Sequence, residues 1–169
     1  PETGPHRLRL LLSQDGGLRI DAEPLPPAGP LRVCLSPQSV DSGDLFLRHK
    51  TTRRALYDAE LKRAIAAGCF DALFCNERGE LTEGARSNVF LAFDGELHTP
   101  PVSAGLLNGV MRRHLIARGQ PPVVERTLFP EDLRRADAVY LSNALRGLLR
   151  VEVVPADAPE GSRTTRRVD

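Results

Sequence analysis

Asn76-Glu77-Arg78-Gly79-Glu80-Leu81-Thr82-Glu83-Gly84-Ala85-Arg86-Ser87-Asn88-Val89-Phe90 is the stretch whose reading decides the fold. The run Asp71 to Cys75 before it has the length and composition of a buried strand. Asn76 to Gly79 reads as a turn, and Glu80 to Thr82 as the returning strand, with Glu83 at its end. Asn88 to Phe93, the turn Asp94-Gly95 and Glu96 to Thr99 then form the clearest hairpin in the chain, because an Asp-Gly pair accepts the backbone twist that a two-residue loop requires.

Upstream, His6-Arg7-Leu8-Arg9-Leu10, continuing to Leu12, alternates and predicts a strand with one buried face. Gln14-Asp15-Gly16-Gly17 turns it into a second strand around Leu18 to Ala22. Pro24, Pro26, Pro27 and Pro30 break the pattern before a strand at Leu31 to Leu35, and Ser36 to Asp44 has the composition of a linker. Leu45, Phe46 and Leu47 predict that a buried strand gives way to a helix at Lys50, with Leu56, Leu61, Ala64 and Ile65 on the helix face and a stop at Gly68.

Downstream, Pro100-Pro101 ends the hairpin, and Leu106-Leu107-Asn108-Gly109 opens a helix from Val110 to about Arg118, closed by Gly119. Strands at Val123 to Arg126, Ala138 to Leu141 and Leu148 to Val154 follow, with a short helix at Pro130 to Ala136. The expected division is 1–30 as a hairpin with a Pro-rich linker, 31–154 as the main domain, and 155–169 as a mobile tail.

With 169 residues, 41% hydrophobic, the chain is long enough to bury a substantial core. A net charge of +1 offers no general field for nucleic acid or an anionic membrane, so any anion recognition has to be local. No apolar run is long enough to span a bilayer and the first residues lack a leader pattern, which predicts a cytoplasmic protein. Cys34, Cys69 and Cys75 lack metal-site spacing and read as free thiols, and His6, His49, His98 and His114 are scattered, so no metal is expected. There is no Walker-type loop and no Gly-x-Gly-x-x-Gly.

Two ionisable residues carry the chemistry. Taken alone, the basic run Arg48-His49-Lys50-Thr51-Thr52-Arg53-Arg54 is a solvated face or an anion patch, and Glu83 before a glycine is a loop residue. Together, at strand ends, an amine and a carboxylate are what pyridoxal phosphate chemistry needs. The amine holds the cofactor covalently and shuttles protons, and the carboxylate keeps the ring nitrogen protonated so that the ring accepts carbanion electrons.

Lys50 to Leu148 resembles the larger domain of the fold-type IV, class IV aminotransferase family, carried by four ordered blocks: His49 to Asp58, Asn76 to Asn88, Gly105 to Arg112, and Ser142 to Gly147. The resemblance implies an α/β (α+β) fold, a mixed sheet or pseudo-barrel with flanking helices, preceded by a remnant hairpin of a smaller N-terminal domain. It implies pyridoxal 5′-phosphate as cofactor, with Lys50 as anchor and base and Glu83 at the ring nitrogen. Arg54 and Tyr57 would neighbour the phenolic oxygen and phosphate. Ser87, Asn88, Gly109, Val110, Met111, Asn143 and Ala144 would complete the cofactor site, and Leu145 and Arg146 would meet the substrate.

Ala144 stands where many transaminases of the family place a threonine, which favours the branch that converts 4-amino-4-deoxychorismate to 4-aminobenzoate and pyruvate. The resemblance further implies a homodimer acting on a small molecule, fused to or associated with an aminodeoxychorismate synthase component, with neither nucleic acid nor membrane as partner. Much of the smaller domain is expected to be missing. The alternatives are a branched-chain or D-amino acid aminotransferase, and a non-catalytic structural or dimerisation fragment.

Overall fold

The computed structural model describes residues 4–155. The first two strands, β1 (His6–Leu12) and β2 (Leu18–Pro24), pair antiparallel with each other and make a separate two-stranded sheet. The main sheet is built from β3 (Arg32–Val40), β4 (Asp71–Asn76), β5 (Leu81–Gly84), β6 (Asn88–Phe93), β7 (Glu96–Thr99), β8 (Val123–Glu125), β9 (Ala138–Asn143) and β10 (Gly147–Val153). Three helices accompany it: α1 (Ala55–Ala66), α2 (Val110–Arg118) and α3 (Pro130–Arg135).

The strand order β5-β4-β3-β10-β9-β6-β7-β8 is closed by a further pairing of β5 with β6. Six strands thus form a barrel-like ring, and β7 and β8 extend it. The β3–β4, β3–β10 and β7–β8 pairs are parallel and the others antiparallel, a mixed sheet as expected. Closure rests on one register pair, Glu83↔Asn88.

Period-two alternation sends neighbouring residues to opposite faces. Val33, Leu73, Leu81, Val89, Leu91, Leu141 and Val151 pack into one buried cluster. Cys34, Ala72 and Phe74, their neighbours in the chain, join Tyr57 and Ala64 of α1 in a second. Cys34 and Cys69 are buried free thiols and Cys75 is partly buried.

Four expectations need correction. The leucines of β1 are not buried: Leu8, Leu10 and Leu12 are 61%, 62% and 76% exposed, because β1 pairs only with β2 and no second layer covers this face among the described residues. Ser36 to Val40 is strand, not linker, because parallel pairing with β4 resumes beyond a bulge between Leu35 and Ser39. Pro37 sits inside that irregularity, where its missing N–H breaks no ladder bond. Leu45 to Leu47 belong to a single 3-10 turn, Leu45–Arg48, whose start is capped by the Asp44 carboxylate accepting from the Phe46 amide, so no buried strand precedes Lys50.

Helix α1 is also rotated from the expected face. It buries Tyr57, Glu60 and Ala64, and leaves Leu56 and Ile65 exposed. Burying Glu60 is tolerable because its carboxylate accepts from Ser36 Oγ (2.8 Å) and Arg63 Nε (2.9 Å). The remaining boundaries fall close to those expected, with helix stops at Gly68 and Gly119, both in the left-handed region. The expected mobile tail falls largely on 156–169, outside the described residues. Among the described residues no helix is long and apolar enough to cross a membrane.

Candidate active site

A cavity of about 440 Å³ opens where β5 and β6 meet, walled by the 3-10 turn, the segment leading into α1, the start of α2 and the end of β9. Lys50 stands at its mouth, exposed to solvent yet crowded enough that burial, and then the neighbouring Arg54 charge, lower its pKa against the pull of Glu83. A larger fraction of its amine is therefore unprotonated at neutral pH than for a free lysine, as a nucleophile requires.

Glu83, the next-to-last residue of β5, is 8% exposed. Tyr57 Oη donates to its Oε1 at 3.1 Å and Asn88 Nδ2 to its Oε2 at 3.3 Å. Burial pushes its carboxyl up to about 8, with the Leu107 backbone, Tyr57, Lys50 and Arg54 pulling the other way. Burial first, and then the Glu83 charge, raises the Tyr57 phenol, which stays a neutral donor. Arg54 donates to the Ala85 carbonyl at 2.5 Å and lies over the Tyr57 ring, holding α1 against the Gly84–Ser87 turn.

At the opposite wall α2 begins at Gly109 without a side-chain cap, which leaves the amides of Val110 and Met111 for an anion. Glycine is needed there, since a Cβ would come within 2.4 Å of Asn88 Oδ1. Asn88 Nδ2 also donates to the Leu107 carbonyl at 2.8 Å, so one amide ties Glu83 to the approach of α2. Arg112, 1% exposed, fixes the helix from beneath by donating to Asn108 Oδ1 and the Pro100 carbonyl (both 2.8 Å) and pairing with Glu125. Arg113 instead lines the cavity.

The structure gathers Lys50, Arg54, Tyr57, Glu83, Ser87, Asn88, Gly109, Val110, Met111, Asn143 and Ala144 around this one cavity. Leu145 and Arg146 do not line it. Asn143 Oδ1 accepts from both of their amides and closes a turn, and the Arg146 guanidinium donates to the Pro26 carbonyl. The Ser87 hydroxyl is committed to Asp71 at 2.5 Å. The sequence analysis gave no role to Asp71, whose one signal is an acid at the start of an apolar strand, and did not place the cavity-lining cations Arg48, Arg53, Arg86 and Arg113 among the site residues. Against these cations and Lys50 and Arg54 stand only two acids on the wall, Asp44 and Glu83.

This chemistry fits pyridoxal 5′-phosphate. An amine whose pKa burial lowers, a buried carboxyl held by two donors, an uncapped helix start and a cationic surround correspond to its aldehyde, ring nitrogen and phosphate. Fold and site together are those of the fold-type IV class that holds pyridoxal phosphate.

The chain belongs to the amino-transferase class IV family, which matches residues 4–154. It is 37% identical to the crystal structure of a candidate amino-acid aminotransferase from Mesorhizobium loti, with a TM-score of 0.82 over 88% of this chain and 73% of that one. It is 29% identical over 152 residues to a candidate aminodeoxychorismate lyase of Schizosaccharomyces pombe, covering 86% of this chain and 65% of that protein. The structure of a hypothetical aminotransferase from Mycobacterium tuberculosis in its PLP-bound form is 26% identical, with a TM-score of 0.72 over 86% of this chain and 60% of that one. The chain spans between about a third and two thirds of the length of the first curated relatives it matches.

Proposed function

We propose that this chain is the cofactor-holding part of a lyase that converts 4-amino-4-deoxychorismate to 4-aminobenzoate and pyruvate. The observation that carries the reading is the meeting of Lys50, Glu83 and the uncapped start of α2 on one cationic cavity. Pyridoxal 5′-phosphate, when bound, supplies an electron sink for a carbanion. Val110 and Met111 amides would hold its phosphate, and Glu83 would face its ring nitrogen, where a bound cation would draw the carboxyl back toward its ionised form.

Lys50 would anchor the cofactor covalently. Displaced by the substrate amine, it would take the proton from the carbon bearing that amine. Loss of the enolpyruvyl group and its protonation give pyruvate, and the remaining ring becomes aromatic. Such a substrate carries two carboxylates, which the excess of cations over acids on the cavity wall would accommodate. Ala144 on that wall, in place of a threonine, also supports the lyase reading. Pairing with a second copy, and fusion to or association with an aminodeoxychorismate synthase component, belong to the same proposal.

The test is to incubate the chain with pyridoxal 5′-phosphate and 4-amino-4-deoxychorismate and to follow 4-aminobenzoate by its fluorescence. Product formation lost in Lys50→Ala supports the reading; a visible cofactor band that persists unchanged in Lys50→Ala sinks it. A transaminase is the second reading, favoured by the likeness to the Mesorhizobium loti structure. Amino-group exchange between a branched-chain or D-amino acid and a 2-oxo acid, without 4-aminobenzoate, would select it. Cofactor binding with neither product would select a structural or dimerisation fragment.

A further inference from the structure

Asp71, the first residue of β4, is completely buried and does not line the cavity. A carboxylate in such a place is expensive unless its oxygens are used. Its Oδ2 accepts from Ser87 Oγ at 2.5 Å and from the Arg86 amide at 3.4 Å, and its Oδ1 from the Ala72 amide at 2.9 Å. Burial raises its pKa, while Ser87, the Arg86 charge and the two amides oppose that rise.

The partners lie on the turn between β5 and β6. Gly84 presses on the carboxylate so closely that a Cβ there would come within 2.6 Å of Oδ2 and 2.7 Å of Ser87 Oγ. Neighbours of Asp71 finish the clamp: the Ala72 carbonyl accepts from the Ala85 amide at 2.9 Å, and the Phe70 carbonyl accepts from Arg86, whose guanidinium lies 4.1 Å above the Phe70 ring. This turn joins Glu83 to Asn88, whose one register pair closes the barrel. A single pair is a weak constraint on the direction of a side chain, and the start of β4 supplies what is missing.

We propose that Asp71 is a positioning residue that fixes the Gly84–Ser87 turn from beneath and thereby aims the Glu83 carboxylate and the Asn88 amide into the cavity. The proposal rests on the reading of that cavity as the pyridoxal 5′-phosphate site. It explains why an apolar strand begins with an acid, and why a glycine follows Glu83.

Two measurements on this chain test it, one of which needs no cofactor. In Asp71→Asn an amide N–H must face another donor whichever way the side chain is turned. Hydrogen exchange at Gly84 and Ala85 in the cofactor-free chain should then accelerate about tenfold while the amides of β9 keep their rates. Pyridoxal 5′-phosphate affinity, read from the absorbance of the bound chromophore, should weaken about tenfold in Asp71→Asn but less than about twofold when the same change is made in a Glu83→Gln background.

Ser87→Ala removes the same hydrogen bond from the side of the turn and should reproduce both effects, which covers the case of an Asp71→Asn chain that does not fold. Unchanged exchange at Gly84 and Ala85, or equal weakening in both backgrounds, overturns the role of Asp71. A wild-type chain that binds no pyridoxal 5′-phosphate overturns the cofactor reading instead, and the exchange rates still decide whether Asp71 holds the turn.

Discussion

The β1–β2 hairpin and the barrel both carry apolar residues at alternate positions, but the central strands β4 and β6 are apolar on both faces, and the two regions fare differently. In the hairpin Leu8, Leu10, Leu12, Leu18 and Ile20 share one face, paired in register as Leu10↔Ile20 and Leu12↔Leu18, and are 57–76% exposed. In β4 and β6 the alternate residues Leu73, Val89 and Leu91 are at most 1% exposed. Alternation therefore specifies a face, and only a second layer turns that face into a core. The barrel supplies its own layer by closing on itself. The described hairpin has none.

The contrast is broken most forcefully by truncating one leucine in each region. Leu73→Ala should lose about 2–5 kcal/mol of unfolding free energy, since its fully buried site would be left as a cavity. Leu10→Ser should change it by less than about 0.5 kcal/mol and improve solubility. Denaturant titration of both reads the difference, and equal losses would mean that the hairpin face is covered in solution.

At the rim of the barrel, where packing and chemistry meet, a methyl group is enough. Gly109→Ala would drive a Cβ into Asn88 Oδ1, displacing the amide that links Glu83 to Leu107. Pyridoxal 5′-phosphate binding should weaken on the order of tenfold, with the hairpin unaffected. Absorbance titration of the bound cofactor checks it, and undiminished affinity would remove Asn88 from the site.

A subtler difference lies in pH dependence, which the barrel has through Glu83. Its folded carboxyl titrates at about 8, above its usual 4.5, so between those values the folded cofactor-free chain holds a proton that the unfolded chain has released. The contribution of Glu83 to stability accordingly falls as pH rises from about 4.5 to 8. Glu83→Gln, which does not titrate, should flatten that fall and be the more stable form near pH 8 relative to its behaviour near pH 4.5. Thermal midpoints across the range decide, and parallel pH profiles for the two chains would contradict the buried, protonated carboxyl.

The parts legible in the sequence are those set by neighbours in the chain. Asp94-Gly95 fixed the β6–β7 hairpin, with Asp94 at φ 48°, and Gly109 and Gly119 bracketed α2. The parts that were not legible depend on distant strands. Ser36 to Val40 looks like a linker because the ladder that makes it a strand belongs to β4, more than thirty residues on. Tyr57 and Glu60 lie outside the helix face read from Leu56, Leu61, Ala64 and Ile65 because the partners that satisfy them, Glu83 and Ser36, come from the barrel.

By itself the sequence determined which residues could do chemistry: an amine in a basic run, an acid at a strand end, and a glycine before a helix. Their side-chain types are chemical facts that no fold alters. The tertiary structure alone decided that they share a cavity, that Tyr57 and Asn88 both grip Glu83, and that Leu145 and Arg146 lie apart from it. Closure of β5 on β6 brings these residues together across the chain, and the low dielectric of the closed barrel then moves Glu83 far from its usual pKa.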